Sequence, residues 1–364
     1  MTIRYRSELD QITPYVPGKH IDEVKREYGV SDIIKLASNE NPLGMGSKAR
    51  SAILENLDSV HVYPDGSAVG LRNKLAKQLA VEPEQIIVGN GSDELIKLTA
   101  ETYLMPGDEV IICEPTFSQY RFAAALMGAE IVSVPLDNYR YDLNAMAEQI
   151  SEHTKIIFVC NPNNPTGTIV DTTELERFLS GVPKQILVVI DEAYYEYVRS
   201  DVYPQTIDLL QDYPNLLITR TFSKIHALAA LRVGYGVADP SVINAMLKTK
   251  EPFNVNSLAQ AAAAAALDDQ DHLQRSIEVN ELGKRYLYEQ FAEMGLESIP
   301  TETNFVLVDL ESDADAVCRQ LMARGVIIRS GASFGLPSCV RITIGTMEQN
   351  RRMMGALKEV LACR

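Results

Sequence analysis

The sequence predicts an α/β protein in which a large domain, built on a mostly parallel sheet sandwiched by helices, is joined to a smaller α+β domain. Three observations lead there. From about residue 45 to 250, short runs rich in Ile and Val alternate with helical stretches, the pattern of strands joined by crossover helices. After residue 250 the order changes, with long helical stretches first and short β-type runs behind them. A length of 364 residues also exceeds what one hydrophobic core usually supports, so two cores are expected.

Each element follows in order. Residues 1–44 are turn-rich and are expected to form an arm that belongs to the smaller domain and crosses to a second domain or subunit. Residues 45–250 form the large domain, with strands expected at 85–88, 109–113, 130–134, 155–159, 185–190, 215–220 and 232–238. A run such as Gln185–Ile190 is apolar without alternation, as a strand covered on both faces must be. Residues 251–364 form the smaller domain. Ala259–Leu267 reads as a helix whose consecutive alanines allow close packing, and Asn280–Glu293 has helical periodicity. Phe305–Val308, Val326–Ile328 and Val340–Thr343 are short strands, and a helix ends the chain. There is no internal repeat and no long disordered linker.

Composition narrows the function. Hydrophobic residues make up 46% and charged residues 23%, as in ordinary globular proteins. No apolar run reaches membrane-spanning length, and Met1–Arg6 lacks a signal-peptide core. The five cysteines (113, 160, 318, 339, 363) show no metal or redox spacing and read as reduced thiols of a cytoplasmic protein. A formal charge of −15 argues against nucleic acid or anionic membranes as partners, though a few arginines can still bind anionic substrates. The histidines give no metal spacing. His226, the one nearest Lys224, is left out of the chemistry.

Ligands of parallel sheets bind beyond the carboxyl ends of the strands, so the residues that follow each apolar run carry the chemistry. After Leu216–Ile218 comes Thr221-Phe222-Ser223-Lys224, with Arg232 eight residues on. Hydroxyls and a guanidinium suit a phosphate, and a lysine beside them can bond covalently to an aldehyde of the same ligand. Pyridoxal phosphate carries both groups. Taken alone, Lys224 reads first as an exposed lysine at a helix start. After Gln185–Ile190 comes Asp191-Glu192-Ala193-Tyr194. An aspartate at a buried strand end needs a cationic or donor partner, and a protonated pyridine nitrogen is one; a helix cap or a loop salt bridge is the other. After Lys155–Val159 comes Cys160-Asn161-Pro162-Asn163-Asn164-Pro165-Thr166-Gly167, a rigid turn with a surplus of side-chain amides, of which Asn164 can reach a ligand. Gly89-Asn90-Gly91-Ser92-Asp93-Glu94 leads from a strand into a helix and forms an anion site, without matching a dinucleotide or Walker loop.

These segments, in this order, resemble the fold-type-I, class-II pyridoxal-phosphate aminotransferases, and the bacterial histidinol-phosphate group most closely. The likeness also takes in Ser38-Asn39-Glu40-Asn41-Pro42, Tyr63-Pro64-Asp65-Gly66, Pro252–Asn256 and Arg341–Gly345, so it covers nearly the whole chain. It implies that Lys224 holds the cofactor and serves as general base, that Asp191 pairs with the pyridinium, and that Tyr194 and Asn164 bond the ring oxygen. Phe117 would stack on the ring, or else simply pack in the core. The backbone of Ser92 and Asp93, together with Ser223 and Arg232, would hold the phosphate, with Thr221 either joining them or only capping the turn. Tyr63 would reach that phosphate from a second subunit, making an obligate homodimer with shared active sites; otherwise it is a surface tyrosine before a turn. Arg341, Arg329, Tyr15 and Asn39 would bind substrate, although Arg329 reads equally as a surface salt bridge. The substrates implied are glutamate and 2-oxoglutarate with histidinol phosphate. An aromatic amino acid, or decarboxylation of a phosphorylated amino acid, are the alternatives. One departure is Ala230, in Leu228-Ala229-Ala230-Leu231-Arg232, where relatives commonly have glycine.

Overall fold

The computed structural model describes residues 3–12, 14 and 18–362. Its strands are β1 (Ile34–Leu36), β2 (Ile86–Gly89), β3 (Glu109–Glu114), β4 (Glu130–Pro135), β5 (Thr154–Cys160), β6 (Leu187–Asp191), β7 (Leu216–Thr221), β8 (Gly234–Ala238), β9 (Phe305–Asp309), β10 (Val326–Ser330) and β11 (Cys339–Thr343). Seven of them form a sheet in the order β2-β8-β7-β6-β5-β3-β4. All neighbours run parallel except β8, which is antiparallel to both β2 and β7. The central strands carry Ile156–Val159, Val188–Ile190 and Leu216–Ile218, all fully buried. Each such aliphatic side chain contributes roughly 1.5–3 kcal/mol on burial.

The smaller sheet has the order β1-β10-β11-β9. Phe291, Leu287, Val306, Val308, Ile342 and Met353 form its core. Residues 1–44 hold more than turns. Ile21–Tyr28 is a helix that ends at Gly29 in the left-handed conformation (φ 69°), and β1 pairs with β10 through Ile34↔Val326. A three-residue strand whose partner lies some three hundred positions along the chain leaves no local signal. The larger core also reaches past residue 250. The helix Ser257–Ala266 packs against Ser47–Asn56 and Val69–Leu79, and Ala259, Ala262, Ala263 and Ala266 are buried in that core. The long helix Gln270–Glu293 then carries the chain into the smaller domain, where Leu287 and Phe291 are buried.

Candidate active site

The site lies where the apolar centre of the large sheet gives way to polar residues. Asp191 ends β6 beside Cys160 of β5 and Thr219 of β7. It is almost wholly buried. Its Oδ2 accepts a hydrogen bond from the Tyr120 hydroxyl at 2.7 Å, whereas Oδ1 has no partner among the described residues. The Thr219 hydroxyl and the Ala193 amide face the carboxylate without closing a bond to Oδ1. Burial pushes the Asp191 carboxyl up to about 6.

Past the end of β7, Lys224 enters a cavity of about 390 Å³. Its Nζ lies 3.4 Å from the Ser38 carbonyl oxygen and 5.6 Å from the centroid of the Tyr194 ring. Burial, then the Arg341 charge, brings its ammonium down to about 8, with Asp93 and Glu40 opposing. Phe117 forms another wall, edge-on to Tyr120 at 5.7 Å. Tyr194 accepts a 2.8 Å hydrogen bond from Asn39. Asn39 has φ 57°, a left-handed conformation that asparagine tolerates, and it ties the two domains together. Its backbone N–H donates to Thr343, and its carbonyl accepts from Asn304.

One end of the cavity is a cradle for a compact group. Gly91 has φ 85° and precedes the helix Ser92–Tyr103. A Cβ on Gly234 would come within 2.7 Å of the Ser92 nitrogen, and one on Gly91 within 2.9 Å of Arg232 Nη2, so side chains are excluded there. Ser223 and Thr221 share a 3.0 Å hydrogen bond. Arg232 donates to Asp93 at 2.9 Å from a left-handed backbone (φ 56°). A non-glycine residue held this way is a form of strain found at ligand sites. Ala230 is not under the same stress: it sits inside the short helical turn Ala229–Leu231, and its φ is not positive.

The other end is cationic. Arg341 donates to Asn164 Oδ1 at 2.5 Å and to the Ala37 carbonyl at 2.8 Å. Arg329, its cross-strand partner, lines the same cavity. Of the loop amides, Asn161 and Asn163 are used in the turn, bonding Val170, Thr116 and Pro115. Asn164 alone among them faces the cavity.

The family model for class I and II aminotransferases matches residues 31–357. The chain belongs to that family. It is 52% identical to a histidinol-phosphate aminotransferase of Moorella thermoacetica over 98% of this chain and 93% of the other. It is 50% identical to one of Brevibacillus brevis, over 95% of each chain. Among solved structures, a histidinol-phosphate aminotransferase of Sinorhizobium meliloti in complex with pyridoxal 5'-phosphate superposes with a TM-score of 0.92 at 28% identity, covering 100% of this chain and 99% of that one.

The aminotransferase's cavity brings together Asn39, Ser92, Asp93, Phe117, Asn164 and Asp191 with Tyr194, Ser223, Lys224, Arg232, Arg329 and Arg341. Tyr63 is not among its lining residues. It is exposed and stacks on Phe253 at 4.8 Å. Tyr15 and Cys363 lie outside the described residues. Sequence reasoning missed Tyr120, which holds Asp191, and Phe334, which lines the cationic end. Both sit in segments without a motif, and only the fold brings them to the site. The buried pair Arg220–Glu192, directly behind Asp191, was missed as well. Among the described residues, no cluster suits a metal ion and no helix is long and apolar enough to cross a membrane.

Proposed function

We propose that this aminotransferase uses pyridoxal phosphate to move the amino group of glutamate onto imidazole-acetol phosphate, giving 2-oxoglutarate and histidinol phosphate, as a step of histidine biosynthesis. The observation that carries the reading is the half-bonded Asp191 carboxylate facing the same cavity as Lys224, in a chain about 50% identical to histidinol-phosphate aminotransferases. The residues fit the cofactor. The open Asp191 Oδ1 suits a protonated pyridine nitrogen, and the glycine-walled cradle at the start of the helix Ser92–Tyr103 suits a phosphate. When bound, pyridoxal phosphate supplies an aldehyde that carries the amino group and a ring that withdraws electrons.

The chain's own residues do the rest. Lys224 would hold the cofactor's aldehyde carbon and would move the proton at the substrate carbon. A lysine titrating near 8 keeps a useful fraction of free amine at neutral pH. Asp191 would keep the ring nitrogen in its charged form, Tyr194 and Asn164 would donate to the ring oxygen, and Phe117 would offer an aromatic face to the ring. The backbone N–H groups of Ser92 and Asp93, with Ser223 and Arg232, would hold the phosphate. Arg341 and Arg329 bind the anionic end of each substrate, with Tyr15 and Asn39 as further donors. Tyr63 acts from a second copy of the chain. The exposed apolar run Leu54, Leu57, Val60, Val62 and Val69 around it suits a homodimer interface. The same reading carries the expectation of a cytoplasmic enzyme.

Borohydride reduction of the yellow holoprotein, followed by peptide mapping, is expected to label Lys224. Label on a different residue, or none, would overturn the role given to it. In single-turnover spectra, histidinol phosphate should bleach the visible band at concentrations where phenylalanine and tyrosine have no effect. Equal responses would defeat the narrow substrate assignment.

A further inference from the structure

Arg329 and Arg341 are direct cross-strand partners on β10 and β11. Such partners project to one face with Cβ atoms about 5 Å apart, where like charges oppose each other. The connection between the two strands, residues 331–338, opens with the tight helical turn Gly331–Phe334. Leu336 N–H bonds the Gly331 carbonyl, and a Cβ on Gly331 would collide with the Leu336 carbonyl oxygen at 2.5 Å. That turn folds the Phe334 ring back over the arginines. Its centroid is 5.8 Å from the Arg329 guanidinium carbon and 5.6 Å from that of Arg341. All three residues line the cavity.

We infer that Phe334 is a positioning residue whose π face holds Arg329 and Arg341 side by side as a two-cation clamp, selecting a doubly charged group such as a phosphate over a single carboxylate. The ring's negative face offsets the repulsion between the guanidiniums without neutralising either one. A dianion can then engage both at once, and it gains about twice the Coulomb attraction of a monoanion from each. The inference rests on the proposed reading of the two arginines as the anion-binding end of the site.

The test uses the holoenzyme, with inorganic phosphate and acetate as competitive inhibitors of glutamate turnover. Phe334→Leu keeps an apolar side chain and removes the π face. It is expected to weaken phosphate inhibition roughly tenfold, about 1.4 kcal/mol, the scale of two partly exposed cation–π contacts. Acetate inhibition should weaken by less than about threefold, the scale of one. With the phosphorylated substrate the loss should fall in KM rather than kcat, and Phe334→Tyr, which restores the face, should behave as wild type. Equal weakening of both anions, or Phe334→Tyr as damaging as Phe334→Leu, would overturn the inference. Arg329→Gln and Arg341→Gln separate it from its premise. If neither weakens phosphate, the anion-binding reading falls. If they do while Phe334→Leu does not, only the role of Phe334 falls.

Discussion

Asp191 and Glu192 are neighbours in sequence, both carboxylic, both buried, and they are treated in opposite ways. Glu192 accepts from Arg220 Nε at 2.8 Å and Nη2 at 2.7 Å, from Thr206 at 2.7 Å and from Tyr203 at 3.2 Å. The Arg220 guanidinium in turn lies 3.4 Å from the centroid of the Tyr195 ring. Asp191 has one donor at bonding distance, Tyr120; the Thr219 hydroxyl and the Ala193 amide face it without closing a bond, and Oδ1 stays open. Successive residues of extended chain point to opposite faces, so one strand end can serve two purposes. On one side a saturated ion pair fixes the loop. On the other a half-bonded acid keeps its remaining capacity for a ligand.

The largest expected effect comes from breaking the saturated side. Glu192→Gln would leave Arg220 charged in a site that is 4% exposed. Removing one partner of a buried pair costs about 3–5 kcal/mol, so denaturant unfolding should show a loss on that scale. Replacing both residues by apolar ones, as in Glu192→Leu with Arg220→Met, should recover much of it. A loss below about 1 kcal/mol in the single variant would mean that Glu192 is no more committed to structure than Asp191.

The open side should respond in the opposite sense. In the cofactor-free protein the Asp191 carboxyl stands at about 6, above its ordinary 3.8. The folded chain therefore holds a proton that the unfolded chain has released across that window. Stability from this group is present below about pH 4 and is lost as the pH rises through 6. Asp191→Asn should thus be more stable than wild type at pH 7.5 by about 1–3 kcal/mol, the cost of an incompletely bonded buried group. The difference should vanish near pH 4. Turnover should fall in the same variant, because an amide cannot hold a pyridinium. Urea unfolding at the two pH values checks the sign. An Asn variant less stable than wild type at pH 7.5 would show that Asp191 is already satisfied by the protein.

The same contrast explains what could be read from the sequence. The apolar runs of β5, β6 and β7 mark strands buried on both faces, and the polar cluster after each run marks the site mouth. Asp191, Lys224 and Asn164 were visible for that reason. Their partners were not. Tyr120 reaches Asp191 from 71 positions away, and Arg220 reaches Glu192 from 28, through spacings set by strand order and helix packing. β1 joins the smaller sheet through a pairing that no local pattern encodes. Phe334 became meaningful only once β10 and β11 set Arg329 beside Arg341.

The smallest expected effect is a shift in titration on the open side. Lys224 stands at about 8, below its ordinary 10.5, chiefly because burial disfavours the ammonium and next because of the Arg341 charge. Competitive acetylation of the cofactor-free protein should therefore show Lys224 gaining reactivity with a midpoint near pH 8. Arg341→Gln removes a repelling cation, so the midpoint should rise. It should not return fully to 10.5, because burial, the larger cause, remains. Asp93→Asn removes a stabilising anion and should move the midpoint down. Glu192→Gln lies on the other face, where Arg220 already answers its charge, and should leave the midpoint where it is. A midpoint near 10 in every variant would mean that water screens Lys224 from Arg341, and the two faces would then differ in hydrogen bonding but not in field.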